Sequence, residues 1–297
     1  MDDRPRSISF LNEISKQCSF QRALALNLPY EYKGVAFYPV PVERIMEFYF
    51  CVDVLMVKQE NLIVALRRSC PEDPKSKEKY FATLKEKESQ YKKLMKMPYL
   101  YFLCYAFENW EEYGRPDFGA YIPMLYALLE LTTKGANIEI KTEYKQNGEF
   151  KRVLLVINDA EFNAKDFLKI RQIIFQQSGI VHSDNFLNSD AERAIYDGRK
   201  YETKNYVPPT LEDLIDILAM YLHKSADEII NNFTIRKFNN LIKHMSKFED
   251  YKLLKGAELG GFVSFKDKVP HFISGLKEPD VFEGLQTDYR NSNMMKV

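Results

Sequence analysis

The stretch "NIEIKTEYKQNGEFKRVLLVIND", residues 137–159, leaves the chain little choice of local structure. Its first arm alternates apolar and polar side chains with the period of two that places successive residues on opposite faces of a strand. Asn147-Gly148 then supplies the pair most tolerant of the positive φ that a two-residue hairpin turn requires. The second arm, Val153 to Ile157, is apolar throughout, as in a strand covered on both faces. A β-hairpin is expected over residues 137–157.

Around this hairpin the spacing is helical. "GVAFYPVPVERIMEFYFCVDVLMVKQ" reads as a short strand, Val35 to Tyr38, entering a helix after Pro39 or Pro41, since proline is tolerated in a first turn where its missing N–H has no partner. Ile45, Phe48, Tyr49, Val52 and Met56 recur at steps of three and four and mark its buried face. "PEDPKSKEKYFATLKEKESQYKKLMKM" continues as a lysine-rich helix whose glutamates lie at pairing distance, and Pro98 separates it from the helical "YLYFLCYAFENWEEYG". "RPDFGAYIPMLYALLELTTKGA" gives another helix, with Gly135 as its C-terminal cap.

Downstream of the hairpin, Asn163 with Asp166 three residues on is the analogue of a capping box. The helix it opens buries Phe167, Ile170, Ile173 and Ile174 and ends at Gly179. "NSDAERAIYDGRKYETKNYVPP" is a charged helix running into a linker. Thr210, Ser225 and Thr234 cap three further helices. Gly260-Gly261 ends the last of them, and "FVSFK" is a short strand that recloses onto the body. No period of 20–50 residues repeats, which excludes a solenoid. The expected fold is α+β and predominantly helical: a helical body with an embedded hairpin over residues 1–158, connecting helices over 159–206, and a C-terminal helical unit from 207 to 297, with the boundary near Val207.

Composition narrows the function. Hydrophobic residues make up 45% of the chain and charged residues 28%, as in a packed globular protein rather than a disordered one. Forty-two basic and forty-two acidic residues cancel. That balance argues against a protein whose main task is holding duplex nucleic acid, because each neutralised phosphate takes a Lys or Arg. Cys18, Cys51, Cys70 and Cys104 are scattered, with no C-x-x-C, so a reduced compartment is expected and a zinc site is not. Cys51 and Cys104 lie in aromatic-rich helices, where a thiol serves as a small hydrophobe. "MDDRPRSISFLNEISKQ" lacks the apolar core of a signal peptide, and no apolar run is long enough to span a membrane.

No residue pattern points to catalysis or to a cofactor. There is no G-x-x-x-x-G-K-[ST] and no G-x-G-x-x-G after a strand. His182, His223, His244 and His271 have no acid or thiol at a spacing that makes a site, and structural roles suffice for them. Glu111-Glu112 and Asp213-Asp216 suit exposed helix faces. The aromatic load stands out: nineteen Tyr and twenty-one Phe, with ten Met. It is concentrated in "FYPVPVERIMEFYF" and "MPYLYFLCYAFENW". Either it fills a large core, or part of it forms a partner surface, where Tyr, Phe and Met are enriched.

The C-terminal third carries a resemblance. Ile170-Arg171 with Ile173-Ile174, Thr234-Ile235-Arg236-Lys237-Phe238 and Gly261-Phe262-Val263-Ser264-Phe265-Lys266 resemble a protein of tailed phages of Gram-positive bacteria, encoded in the tail gene block beside the tail tube and tape-measure genes. Phe37-Tyr38-Pro39 and the aromatic helix after it resemble the start of such proteins, while the middle of the chain has no counterpart. Gly260-Gly261 stands where the family more often has Ser-Gly. The resemblance implies a non-catalytic tail assembly chaperone that binds tail tube or tape-measure protein in the host cytoplasm. A virion component of the neck, tail or baseplate is the alternative that also fits it.

The partner surface expected from these segments comprises Phe37, Tyr38, Phe48, Tyr49, Arg236, Phe238, Phe262 and Phe265. Self-association, and sensing or targeting by a host defence protein, are further partner classes open to a phage protein. A nucleic-acid-associated factor is the rival reading, resting on the lysines between Lys75 and Lys96 with Tyr80, Phe81 and Tyr91 interleaved.

Overall fold

Two antiparallel hairpins organise the β structure. In the computed structural model, which describes residues 19–59, 88–89, 91–146, 148–180, 209–260 and 271, strand β1 (Tyr30–Tyr32) pairs with β2 (Val35–Phe37) in the register Tyr30↔Phe37. The two residues between them, Lys33 and Gly34, both have positive φ, 50° and 79°. That is the turn whose twist matches the strands it joins. β3 (Ile138–Tyr144) pairs with β4 (Phe150–Ile157), and β4 with β5 (Ala160–Phe162), in the order β3-β4-β5.

The β3–β4 hairpin forms where the alternation placed it, and Val153 to Ile157 are all buried. Its turn differs from the two-residue form expected. Lys145 N–H donates to Glu149 O at 2.8 Å and Gly148 N–H to Lys145 O at 3.0 Å, which leaves a three-residue loop. Gly148, at φ 78°, takes the left-handed position, and the register shifts between Glu143 and Tyr144. A three-residue loop of this kind sets one left-handed residue against a bulge and needs no second one.

Helices cover these sheets. A 3-10 turn at Val42–Arg44 leads from the prolines into α1 (Ile45–Val52), which ends in a second 3-10 turn, Asp53–Leu55. α2 (Tyr99–Glu108) starts directly after Pro98 and stops at Asn109, whose side-chain amide donates to Tyr105 O at 2.8 Å. A one-turn helix, α3 (Trp110–Tyr113), and a 3-10 stretch, Pro116–Ala120, lead into α4 (Tyr121–Thr133). At the end of α4 the first left-handed residue is Lys134, φ 55°, with Gly135 following at 79°. The cap expected at Gly135 is thus shared by two residues.

α5 (Ala164–Ser178) has the capping box foreseen at Asn163 and Asp166, and Gly179 closes it at φ 72°. Phe167, Ile170, Ile173 and Ile174 are buried against β4, β5 and α2. The core is shared between these and Phe37, Phe48, Leu100, Phe102, Phe118 and Leu125, so much of the aromatic load is interior. Cys51 and Cys104 are both buried free thiols.

α6 (Leu211–Leu222) and α7 (Ala226–Asn232) carry full capping boxes at Thr210 and Ser225, and Thr234 Oγ1 accepts from Lys237 N–H at the start of α8 (Ile235–Leu259). The prolines meet this region directly. Ile235 N–H donates to Val40 O at 2.9 Å and Val42 N–H to Phe233 O at 2.8 Å, with Pro41 bridging to Thr234. The predominantly helical α+β class read from the sequence is the fold observed.

The chain divides into two compact units, Met1–Asn239 and Asn240–Val297. Within the second, the described part is the remainder of α8, Gly260 and His271, whose ring lies 5.2 Å from that of Tyr251. No helix among the described residues is long and apolar enough to cross a membrane. The lysine-rich helix apart from its last turns, the boundary near Val207, the strand "FVSFK", His182, Cys18 and Cys70 fall outside the described residues.

Candidate groove between two helices

α1 is apolar almost all round, "IMEFYFCV", with Glu47 its one charged residue. Such a helix cannot bury every side chain in a two-layer arrangement. Ile45, Phe48 and Val52 face inward and are at most 3% exposed. Met46 and Phe50, one turn apart on the other side, are 66% and 69% exposed. Between this outer face and α4 lies an open groove of about 920 Å³.

One wall of the groove is Glu43, Arg44, Met46, Glu47, Phe50 and Cys51. The other is Ala127, Glu130, Leu131, Lys134 and Gly135, and Pro39, Val40 and Pro41 complete the lining. Arg44 Nε donates to Glu47 Oε1 at 2.7 Å. The Glu47 carboxyl is held below its usual range by a backbone N–H at its own position and then by that guanidinium. Lys134 Nζ sits 4.3 Å from the centre of the Tyr38 ring, while Tyr38 N–H donates to Thr132 O at 2.6 Å. Burial, and next the Glu47 charge, push the Cys51 thiol above its ordinary value, so this wall offers no ready thiolate.

A second concavity lies by the first hairpin, lined by Phe20, Leu24, Tyr30, Tyr32, Lys33 and Lys169 among others. Two of its polar groups are already engaged. Tyr32 Oη donates to Asp166 Oδ1 at 2.9 Å and Lys33 Nζ to Asp166 Oδ2 at 2.6 Å. Burial pushes the Asp166 carboxyl up. The bonds from Lys33, Asn163 N–H and Tyr32, with the Lys33 charge, outweigh it and leave the group below its usual value. The cluster ties the β1–β2 turn to the start of α5, a structural task.

The expected partner residues divide by burial. Phe37, Phe48 and Phe238 lie in the core at no more than 2% exposure, so they present no surface to a partner. Tyr38 is half-buried under Lys134. Tyr49, expected on the buried face of α1, is instead exposed at its rim: its hydroxyl accepts from Asn239 Nδ2 at 2.9 Å. Arg236 is half-buried and donates to Gln176 O. Phe262 and Phe265 fall outside the described residues. Of the lysine-stretch aromatics, Tyr91 is described and is buried against Tyr113.

Met46 and Phe50 were missed because one apolar face had already been assigned to α1. The signal was present: "IMEFYF" places large apolar residues at both i, i+3 and i+1, i+5, more than one buried face can use. Among the described residues, no group of three or more His, Cys, Asp or Glu side chains is placed to hold a metal ion. His223 and His244 are exposed, His223 as the left-handed cap of α6. No protein-family model, no curated protein and no solved structure matches the chain.

Proposed function

We propose that this protein is a non-catalytic assembly factor of a tailed phage of Gram-positive bacteria. It holds an apolar segment of the tail tube or tape-measure protein in the groove between α1 and α4 until the tail polymerises. The observation that carries the reading is the exposure of Met46 and Phe50 on a groove wall. Large apolar side chains left in water beside a concave surface favour a partner that covers them. The sequence resemblance supplies the phage context, the host cytoplasm and the class of partner.

The test is purification of the tagged full chain from infected cells, with mass spectrometry of what accompanies it, beside the same analysis of purified virions. Co-purification of tail tube or tape-measure protein, with the chain absent from virions, is the expected result. Stoichiometric presence in virions makes the chain a structural part and overturns the chaperone role.

A further inference from the structure

The backbone around the groove restricts what can lie in it. Pro39 and Pro41 have no N–H to give. Val40 O already accepts from Ile235 N–H, Val42 N–H already donates to Phe233 O, and Pro41 O accepts from Arg44 N–H at 3.1 Å. The other wall is the side of α4, whose carbonyls before the last turn serve its own helix, while Thr132 O accepts from Tyr38 N–H and Gly135 N–H donates back to Glu130 O at 3.2 Å. An extended segment entering here finds no ladder to join, and its own amides lose water without compensation. A helix satisfies its backbone internally and brings only side chains to the contact.

Side-chain chemistry narrows the occupant further. Met46 and Phe50 stand one helical turn apart, the spacing that interdigitates with a partner helix bearing apolar anchors at i, i+3, i+4 and i+7. Both protrude from the wall, which suits a ridge against a ridge better than a small molecule that must be enclosed. Of the charged lining residues, Arg44 and Glu47 neutralise each other, and Lys134 lies over the Tyr38 ring. That leaves Glu43 on one wall and Glu130 on the other, both exposed and with no ion-pair partner among the described residues, and with Lys134 still charged the lining is negative by one.

From these constraints we infer that the groove takes an amphipathic helix whose apolar side carries large side chains and whose flanks carry lysine or arginine facing Glu43 and Glu130. The inference rests on the partner-binding reading above and adds the chemistry of the segment bound.

The experiment uses the full chain and two dye-labelled helical peptides, alanine-based and identical in their leucines at i, i+3, i+4 and i+7, one flanked by lysine and its twin by glutamate. Fluorescence anisotropy is expected to give about tenfold tighter binding of the lysine peptide, a preference that shrinks as salt is raised. Glu43→Lys with Glu130→Lys reverses the preference, and Phe50→Ala weakens the lysine peptide about tenfold. Equal affinity for the twins, indifference to Phe50→Ala, or no binding of either peptide overturns the inference.

A photo-crosslinking residue replacing Phe50 in infected cells separates this failure from failure of the function itself. A cross-link to a basic amphipathic helix of a tail protein supports both. A cross-link to an acidic or extended tail segment overturns the present inference and leaves the assembly role standing. A cross-link only to this chain, or to a small molecule, or none at all, overturns both.

Discussion

Lys33 reaches Asp166 across 133 residues of chain, Nζ to Oδ2 at 2.6 Å, from a backbone position that ordinarily selects Asn or Gly. The two facts are coupled. The left-handed φ of Lys33 costs about 1 kcal/mol in backbone strain, and the same φ directs the side chain onto the start of α5. The carboxylate that receives it also accepts Asn163 N–H, closing the capping box at 3.1 Å.

Removing either partner therefore has unequal effects. Asp166→Asn leaves the Lys33 strain in place while removing the ion pair and weakening the cap, at an expected cost of about 1–2 kcal/mol. Lys33→Gly loses the ion pair but relieves the strain, for a net change within about 0.5 kcal/mol. Urea denaturation of the two variants checks the inequality; equal midpoints would show that neither the weakened cap nor the relieved strain contributes.

The same cluster sets a pH window. Asp166 has its folded-state value depressed, so its contribution is fully present above the unfolded carboxyl value of about 4 and fades as pH falls through the lower folded one. Tyr32 runs in the opposite sense. Burial first, then the bond to Asp166, push its hydroxyl up to about 12, so its contribution is present below the ordinary value of 10.0 and is lost as pH rises through about 12. The stability gap between the wild type and Asp166→Asn is expected to be flat between about pH 5 and pH 9 and to close on acidification below about pH 4. Denaturation midpoints across that range provide the measurement.

Two phenylalanines two residues apart on α1 predict opposite behaviour. Phe48 has 0% of its surface exposed and Phe50 has 69%. Phe48→Ala is expected to cost about 3–5 kcal/mol through lost burial and the cavity left behind. Phe50→Ala is expected to stay within about 0.5 kcal/mol of the wild type while weakening partner binding. Calorimetric melting of both variants, with the peptide assay on Phe50→Ala, tests this.

Arg171 is a buried cation whose place depends on its shape. Its Nε donates to Leu55 O at 2.7 Å and its guanidinium lies 4.6 Å from the centre of the Tyr99 ring. Lysine has neither the planar group nor a donor at the Nε position. Arg171→Lys is expected to destabilise by about 2–4 kcal/mol, read as a lowered melting temperature, despite the conserved charge.

Local signals told more than distant ones did. The capping box at Asn163, the helix caps at Thr210 and Ser225, the buried arm Val153–Ile157 and the stop at Gly179 were legible because each is decided within a few residues of chain. The turn at Gly148 was read as the wrong type because loop length depends on the register of both arms, which a dipeptide does not encode. Lys33-Gly34 carried the true two-residue turn, hidden by lysine in a position lysine rarely takes. The surplus of apolar side chains on α1 was visible, but which apolar residues are buried, such as Phe37, Phe48 and Phe238, and which are left out, Met46 and Phe50, depends on which neighbours arrive from residues 121–133 and 226–239. An apolar residue is a candidate for either core or interface, and tertiary neighbours decide between them.

The bond from Asn239 to Tyr49 spans 190 residues, and beside it the proline segment is clasped by Phe233, Thr234 and Ile235. The lining of the groove is thus fixed by nearly the last part of its unit to leave the ribosome. At about 5–20 residues per second, roughly 10–40 seconds separate synthesis of the prolines from arrival of the residues that clasp them. A nascent chain carries Met46 and Phe50 through that interval without a finished groove around them. Completion of the groove is consequently timed by translation of residues 233–239, and a ribosome stalled short of them yields a chain whose apolar face is exposed but unshaped.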